Sequence, residues 1–89
     1  MTLLQLQYFK TLARVLHYTQ AAAELHIAQP SLSYSIKELE KELGVKLFEK
    51  DSRHIKLTVY GEQFLPYAER ALGMLDEGVG VLKQMAGSA

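Results

Sequence analysis

The chain has 89 residues, enough for one small domain with an appendage, and 48% of them are hydrophobic, which excludes a disordered segment. It contains no cysteine, so disulfides and thiolate metal sites are excluded and a reducing compartment is expected. Ten basic and ten acidic residues give a formal net charge of zero, which argues against coating nucleic acid by charge alone.

The first segment reads as a helix. Leu3, Leu6, Phe9, Leu12, Ala13 and Leu16 recur at three- and four-residue steps, and His17-Tyr18 ends the pattern. Thr19 is the expected N-cap of a short second helix, Gln20-Ala21-Ala22-Ala23-Glu24-Leu25. Its alanines favour helix and let a neighbour pack close. His26-Ile27-Ala28 is a short connection. Gln29-Pro30 opens a third helix, because proline is tolerated in a first turn. Leu32, Ile36, Leu39 and Leu43 form its narrow apolar stripe, and Gly44 is its C-cap. The other face shows Ser31, Ser33, Tyr34, Lys37 and Lys41.

Val45–Phe48 and Ile55–Thr58 read as two short strands around a polar stretch, a hairpin without the usual turn glycine. Thr58 is placed to cap a last, long helix. Along that helix Leu65, Ala68, Leu72, Leu75, Val79 and Leu82 alternate steps of three and four for nearly three heptads, an a/d seam. Pro66 should kink this helix or reset its first turn. Gly73, Gly78 and Gly80 weaken it by about 1 kcal/mol each relative to alanine, so it needs a partner surface. The last residues, Ala86 to Ala89, are expected to fray.

Positive charge is local. Residues 1–18 carry Lys10 and Arg14 and no acid, and residues 45–58 carry Lys46, Lys50, Arg53 and Lys56 against Glu49 and Asp51. That suits a small docking surface. No apolar run approaches the roughly 18 residues of a membrane span. Met1-Thr2-Leu3-Leu4 does not open a signal peptide, and a cytoplasmic protein is expected.

Helix, short helix, tight turn, helix, hairpin and long helix is the order of a helix-turn-helix with a wing. Specific residues go further. The stretch TQAAAELHIAQPSLSYSIKELEKELGVKLFEK, then RHIKLTVYG, closely resembles the N-terminal domain of the LysR-type transcriptional regulators. The matching positions are Ala21, Ala22, Leu25, Gln29, Pro30, Leu32, Ser33, Ile36, Leu39, Glu40, Leu43, Gly44, Leu47, Phe48, Leu57, Thr58 and Gly61. The resemblance covers nearly the whole chain. It implies a mainly α fold: a winged helix-turn-helix over 1–58, a dimerising linker helix over 59–86, and a disordered tail at 87–89. It also implies a homodimer through that helix, bound to an interrupted inverted repeat in double-stranded DNA. Family members continue into a larger domain that senses a small-molecule effector, so the chain reads as a fragment without that domain. Ala28, Lys50, His54 and Tyr60 depart from the residues most frequent in the family.

Given the resemblance, Gln29, Pro30, Ser31, Ser33, Tyr34 and Lys37 are the candidate major-groove residues. Glutamine can pair with adenine, serine with several base edges or phosphate, lysine with guanine or phosphate, and proline can touch a thymine methyl. Arg53 is the candidate for a narrow A·T-rich minor groove, whose negative potential attracts arginine. His54 and Lys56 are its phosphate-binding neighbours. Thr19 and Gln20 start a helix, where free N–H groups favour phosphate. The seam residues Leu65, Ala68, Leu72, Leu75, Val79 and Leu82 are the candidate dimer contacts, although the seam can instead pack on the first helix.

No cofactor, metal or catalytic residue is expected. His17, His26 and His54 lie nine and 28 residues apart and match no ligand motif. Ser52 near His54 lacks the glycine elbow of a hydrolase. The rival reading is a protein-interaction module that keeps this fold and uses its acidic helix surfaces, Glu24, Glu38 and Glu42.

Overall fold

Local sequence rules set the ends of most elements. In the computed structural model, which describes residues 1–88, Thr2 caps helix α1 (Leu3–Val15). Its hydroxyl accepts from the Gln5 N–H at 3.0 Å, and the Gln5 side chain accepts from the Thr2 N–H at 2.9 Å. This reciprocal pair satisfies two donors that a helix start leaves open. Helix α2 (Tyr18–Glu24) and helix α3 (Gln29–Leu43) follow, and Gly44 closes α3 at φ 76°. Strands β1 (Phe48–Asp51) and β2 (His54–Leu57) form an antiparallel hairpin. Helix α4 (Val59–Gly87) is capped by Thr58, as expected, through a hydrogen bond from the Gly61 N–H.

The core sits where the three short helices, the base of the hairpin and the first half of α4 meet. Phe9, Leu12, Leu32, Ile36, Leu39 and Leu47 are its fully buried large side chains. The Phe9 ring meets Phe48 edge-on at 5.6 Å and Phe64 at the same distance, which ties α1 to the hairpin and to α4. Ala21 and Ala22 are buried where α2 packs against α1 and α3. The rest of α4 projects away, giving extents of 55 × 25 × 19 Å.

Several expectations change. The N-cap of α2 is His17, not Thr19: His17 is extended, and its Nδ1 accepts from the Gln20 N–H at 3.2 Å. A ring nitrogen thus takes the place of a hydroxyl, and Thr19 lies inside the helix. The first strand starts at Phe48 rather than spanning Val45–Phe48. The apolar residues before it mark a segment that dips into the core, where Leu47 is completely buried. The turn is Ser52-Arg53, and Ser52 itself takes the left-handed conformation at φ 59°. Pro66 lies in the interior of α4, with helix on both sides, not in its first turn. At the other end, where a disordered tail is expected at 87–89, Gly87 is helical and Ser88 caps, and Ala89 lies outside the described residues.

One close approach holds α4 to the hairpin. A Cβ added at Gly61 would lie 2.3 Å from the Leu47 carbonyl oxygen and 2.8 Å from the Leu57 side chain. The backbone oxygen cannot step aside, because it accepts from the Thr58 N–H at 3.0 Å. Gly61→Ala is therefore expected to destabilise the chain by about 1–3 kcal/mol or more, on the order seen for overpacked cores. Urea denaturation measures this, and an unchanged midpoint would show that the contact relaxes freely.

Candidate nucleic-acid interface

Helix α3 presents the candidate recognition face because its opposite side is anchored. Leu32, Ile36 and Leu39 are buried, and Leu43 is half-buried. The outer face then carries Gln29, Pro30, Ser31, Tyr34 and Lys37, all exposed, while Ser33 is half-buried. Tyr34 is 67% exposed, an unusually open position for a large aromatic ring. Ala28, at the N-cap of α3, makes no side-chain hydrogen bond. The short connection into α3 is shaped by His26, which takes a left-handed conformation at φ 58°.

The hairpin brings a second set of residues near the start of α2. Arg53, His54 and Ile55 line a concavity of about 180 Å³ together with Leu16, His17, Tyr18 and Thr19. Thr19 and the wing pair Arg53 and His54, 34 and 35 residues away in sequence, therefore share one surface. Gln20 is exposed beside Thr19 on the same helix. Lys56 lies across the ladder from Glu49, with its Nζ 3.5 Å from a Glu49 carboxylate oxygen. Both are about half exposed, so water screens the pair and either partner exchanges readily.

Lys37 lines a different concavity, of about 340 Å³, with Lys41, Gly44, Val45, Lys46 and Glu40. Glu40 is the one buried acid among the described residues. It is 8% exposed, and one carboxylate oxygen accepts from the Leu47 N–H at 2.7 Å and the Phe48 N–H at 3.3 Å. Its other oxygen lies 3.9 Å from Lys46 Nζ. Sequence reasoning gave Glu40 no role of its own. The signal was nonetheless present: Glu40 sits four residues after Ile36 and three before Leu43, an acid on the apolar stripe.

The expected dimer seam divides. Ala68 and Leu72 are buried within the chain, and Leu65 is half-buried against the same core. Leu75, Val79 and Leu82 are exposed, as are Met74, Val81 and Met85 beside them. The first half of the seam thus packs on the chain's own core, including α1, and the second half is uncovered. The heptad steps alone do not separate these halves, because core packing and chain pairing use the same spacing.

Among the described residues, no group of three or more histidine, aspartate or glutamate side chains converges to hold a metal, and no helix is long and apolar enough to cross a membrane.

Residues 3–62 match the bacterial regulatory helix-turn-helix protein domain of the lysR family. The chain belongs to that family. It is 45% identical over 76 residues to the HTH-type transcriptional regulator IlvR of Caulobacter vibrioides, covering 85% of this chain and 26% of that protein. It is 41% identical over 86 residues to the HTH-type transcriptional regulator AlsR of Bacillus subtilis, covering 97% and 28%. The chain therefore spans about a quarter of the length of the curated relatives it matches. Among solved structures, it resembles the BenM DBD in its complex with catB site 1 DNA, with a TM-score of 0.91, 42% identity and 97% of each chain covered. The CbnR DBD–DNA complex is also similar, with a TM-score of 0.88 and 35% identity over 97% of this chain and 99% of that one. The mainly helical fold with a hairpin and a long last helix is shared with these domains.

Tyr18 reports on the packing of this region. Burial raises its phenol pKa above the ordinary tyrosine value, and the nearby Glu40 carboxylate adds to the rise. The folded chain therefore holds this proton more tightly than the unfolded chain. The resulting stability is fully present below about pH 10, and is lost as pH rises through the folded pKa. Tyr18→Phe should flatten that part of the alkaline decline in denaturation midpoint. An identical decline in both proteins would place the cause elsewhere.

Proposed function

We propose that this chain is a sequence-specific reader of double-stranded DNA that acts as a homodimer in the cytoplasm to regulate transcription, and that it is not an enzyme. The observation that carries the reading is the outer face of α3. Gln29, Pro30, Ser31, Tyr34 and Lys37 stand on a helix whose other side is locked into the core. The likeness to domains solved on DNA supports placing this face in the major groove.

In this reading Gln29 and its neighbours contact base edges, while Ser33 at the edge of the face reaches phosphate or sugar. Arg53 enters the adjacent minor groove from the wing tip. Thr19, Gln20, His54 and Lys56 contact phosphates, and the concavity between α2 and the wing supports a shared backbone contact for Thr19 and His54. Residues 1–58 form the DNA-binding unit. The distal part of α4, from Leu75 through Val79 to Leu82, pairs with the same helix of a second chain. Two recognition helices then meet successive major grooves about 34 Å apart, or a multiple of that. The interaction-module reading, built on Glu24, Glu38 and Glu42, is disfavoured by the likeness to domains solved on DNA.

The test is selection from a random duplex pool at fixed salt. An interrupted inverted repeat should be enriched, and no enrichment by a folded chain would overturn the reading. Within the selected site, Gln29→Ala should cost about 1–3 kcal/mol and relax preference at one base position. The seam makes a separate prediction. Leu82→Asp should yield monomers in sedimentation with unchanged helix content, whereas Leu72→Asp should lower folding stability itself. A dimer that persists in Leu82→Asp would place the contact off this ridge.

A further inference from the structure

One of the two segments that join the wing to the rest of the chain, Lys46-Leu47-Phe48, is gripped from two sides. From the α4 side, the Thr58 N–H donates to the Leu47 carbonyl at 3.0 Å, the Thr58 hydroxyl donates to the Lys46 carbonyl, and Gly61 lets the helix approach closely. From the α3 side, the grip is a single side chain. Glu40 accepts from the Leu47 and Phe48 N–H groups with one oxygen, at a site that is 8% exposed. The Leu47 N–H precedes the ladder, which begins at Phe48 paired with Leu57. Without Glu40, that donor would face the core with no partner supplied by the hairpin.

We infer that Glu40 is a positioning residue: it fixes the wing relative to the recognition helix that carries it, so that the outer face of α3 and Arg53 are presented to DNA in one rigid arrangement. Glu40 lies on α3 three residues beyond Lys37 and eleven beyond Gln29, on the helix that reads bases in the proposed function. Its ligands are the two backbone N–H groups from which the wing departs. Any change in the tilt of α3 is thus passed to the wing through a charged hydrogen-bond pair rather than through a flexible loop. The carboxylate charge also contributes to holding the Tyr18 proton on α2. One buried acid on α3 therefore holds the start of the wing. The grip on the wing is a feature of the free chain, and its consequence for binding rests on the DNA-reading function proposed above.

The role depends on reach, not only on charge, and two variants separate these. Glu40→Gln keeps an acceptor oxygen at the same length, whereas Glu40→Asp keeps the charge and withdraws it by one methylene. Amide exchange of the free chain reads the wing directly. In Glu40→Asp, the Leu47 and Phe48 amides and the hairpin ladder should exchange about tenfold faster or more. The amides of Leu12 in α1 and of Ile36 and Leu39 in α3 should change little. In Glu40→Gln the same wing amides should stay within about threefold of the parent chain. A uniform rise across all amides in Glu40→Asp, or a larger effect in Glu40→Gln than in Glu40→Asp, would overturn the positioning role.

Binding to duplexes with A·T-rich or G·C-rich flanks reads the consequence. Arg53→Ala should abolish the flank preference, Glu40→Asp should reduce it, and the double variant should be no worse than Arg53→Ala alone. Independent, multiplying losses would overturn the link between Glu40 and the wing contact. If the parent chain binds no duplex while the exchange pattern holds, the DNA reading fails and the positioning role stands.

Discussion

The structure depends on the burial of one short peptide segment, Leu47-Phe48, between two helices. Leu47 is completely buried and Phe48 nearly so, and the Phe48 ring packs edge-on against Phe9. A backbone taken this deep must have its polar groups satisfied, because an unpaired buried donor costs about 1–3 kcal/mol. Glu40 satisfies the N–H side and Thr58 the carbonyl side. Glu40 belongs to α3 and Thr58 caps α4, so satisfying the segment also fixes both helices around it. Apolar burial drives the arrangement, and the hydrogen bonds select one geometry from those that burial allows.

The division of α4 follows from the same packing. Its first half covers the core that α1 and the hairpin leave open, which is why Ala68 and Leu72 are buried. Beyond Leu72 there is no further core to cover. Leu75, Val79 and Leu82 continue the spacing into solvent, beside three helical glycines at 73, 78 and 80 with open space around each. A helix weakened in this way and exposing an apolar ridge gains most from a second surface. Small residues along it also permit close approach.

Much of this fold was legible in the sequence because several signals agreed. Helical spacing, Thr58 as a cap, Pro30 in a first turn and Gly44 at a C-cap mark α3 and α4 consistently, and spacing alone marks α1. The departures fall where one residue does an uncommon job. His17 caps α2 with a ring nitrogen, and Thr19, the better cap by composition, lies inside the helix. Ser52 takes a left-handed conformation that turn statistics assign to glycine. Val45–Phe48 has the apolar character of a strand, but its residues up to Leu47 precede the ladder, and Leu47 is held by Glu40 and Thr58. The exposed outer face of α3 was legible because its buried stripe was. The meeting of Thr19 with Arg53 and His54 was not, since it depends on how the hairpin folds back toward α2.

Charge has a limited part in the surface that results. The chain is neutral overall, and three of its exposed cations are already engaged: Arg14 with Glu24, Lys56 with Glu49, and Lys46 near Glu40. Exposed pairs of this kind contribute little to stability. They do lower the positive potential that a non-specific DNA binder would use. Long-range attraction of a polyanion by charge is therefore weak, and the proposed reading places discrimination in short-range contacts from α3 and the wing. In the proposed function, a rigid connection between α3 and the wing then matters more than it would in a strongly basic protein.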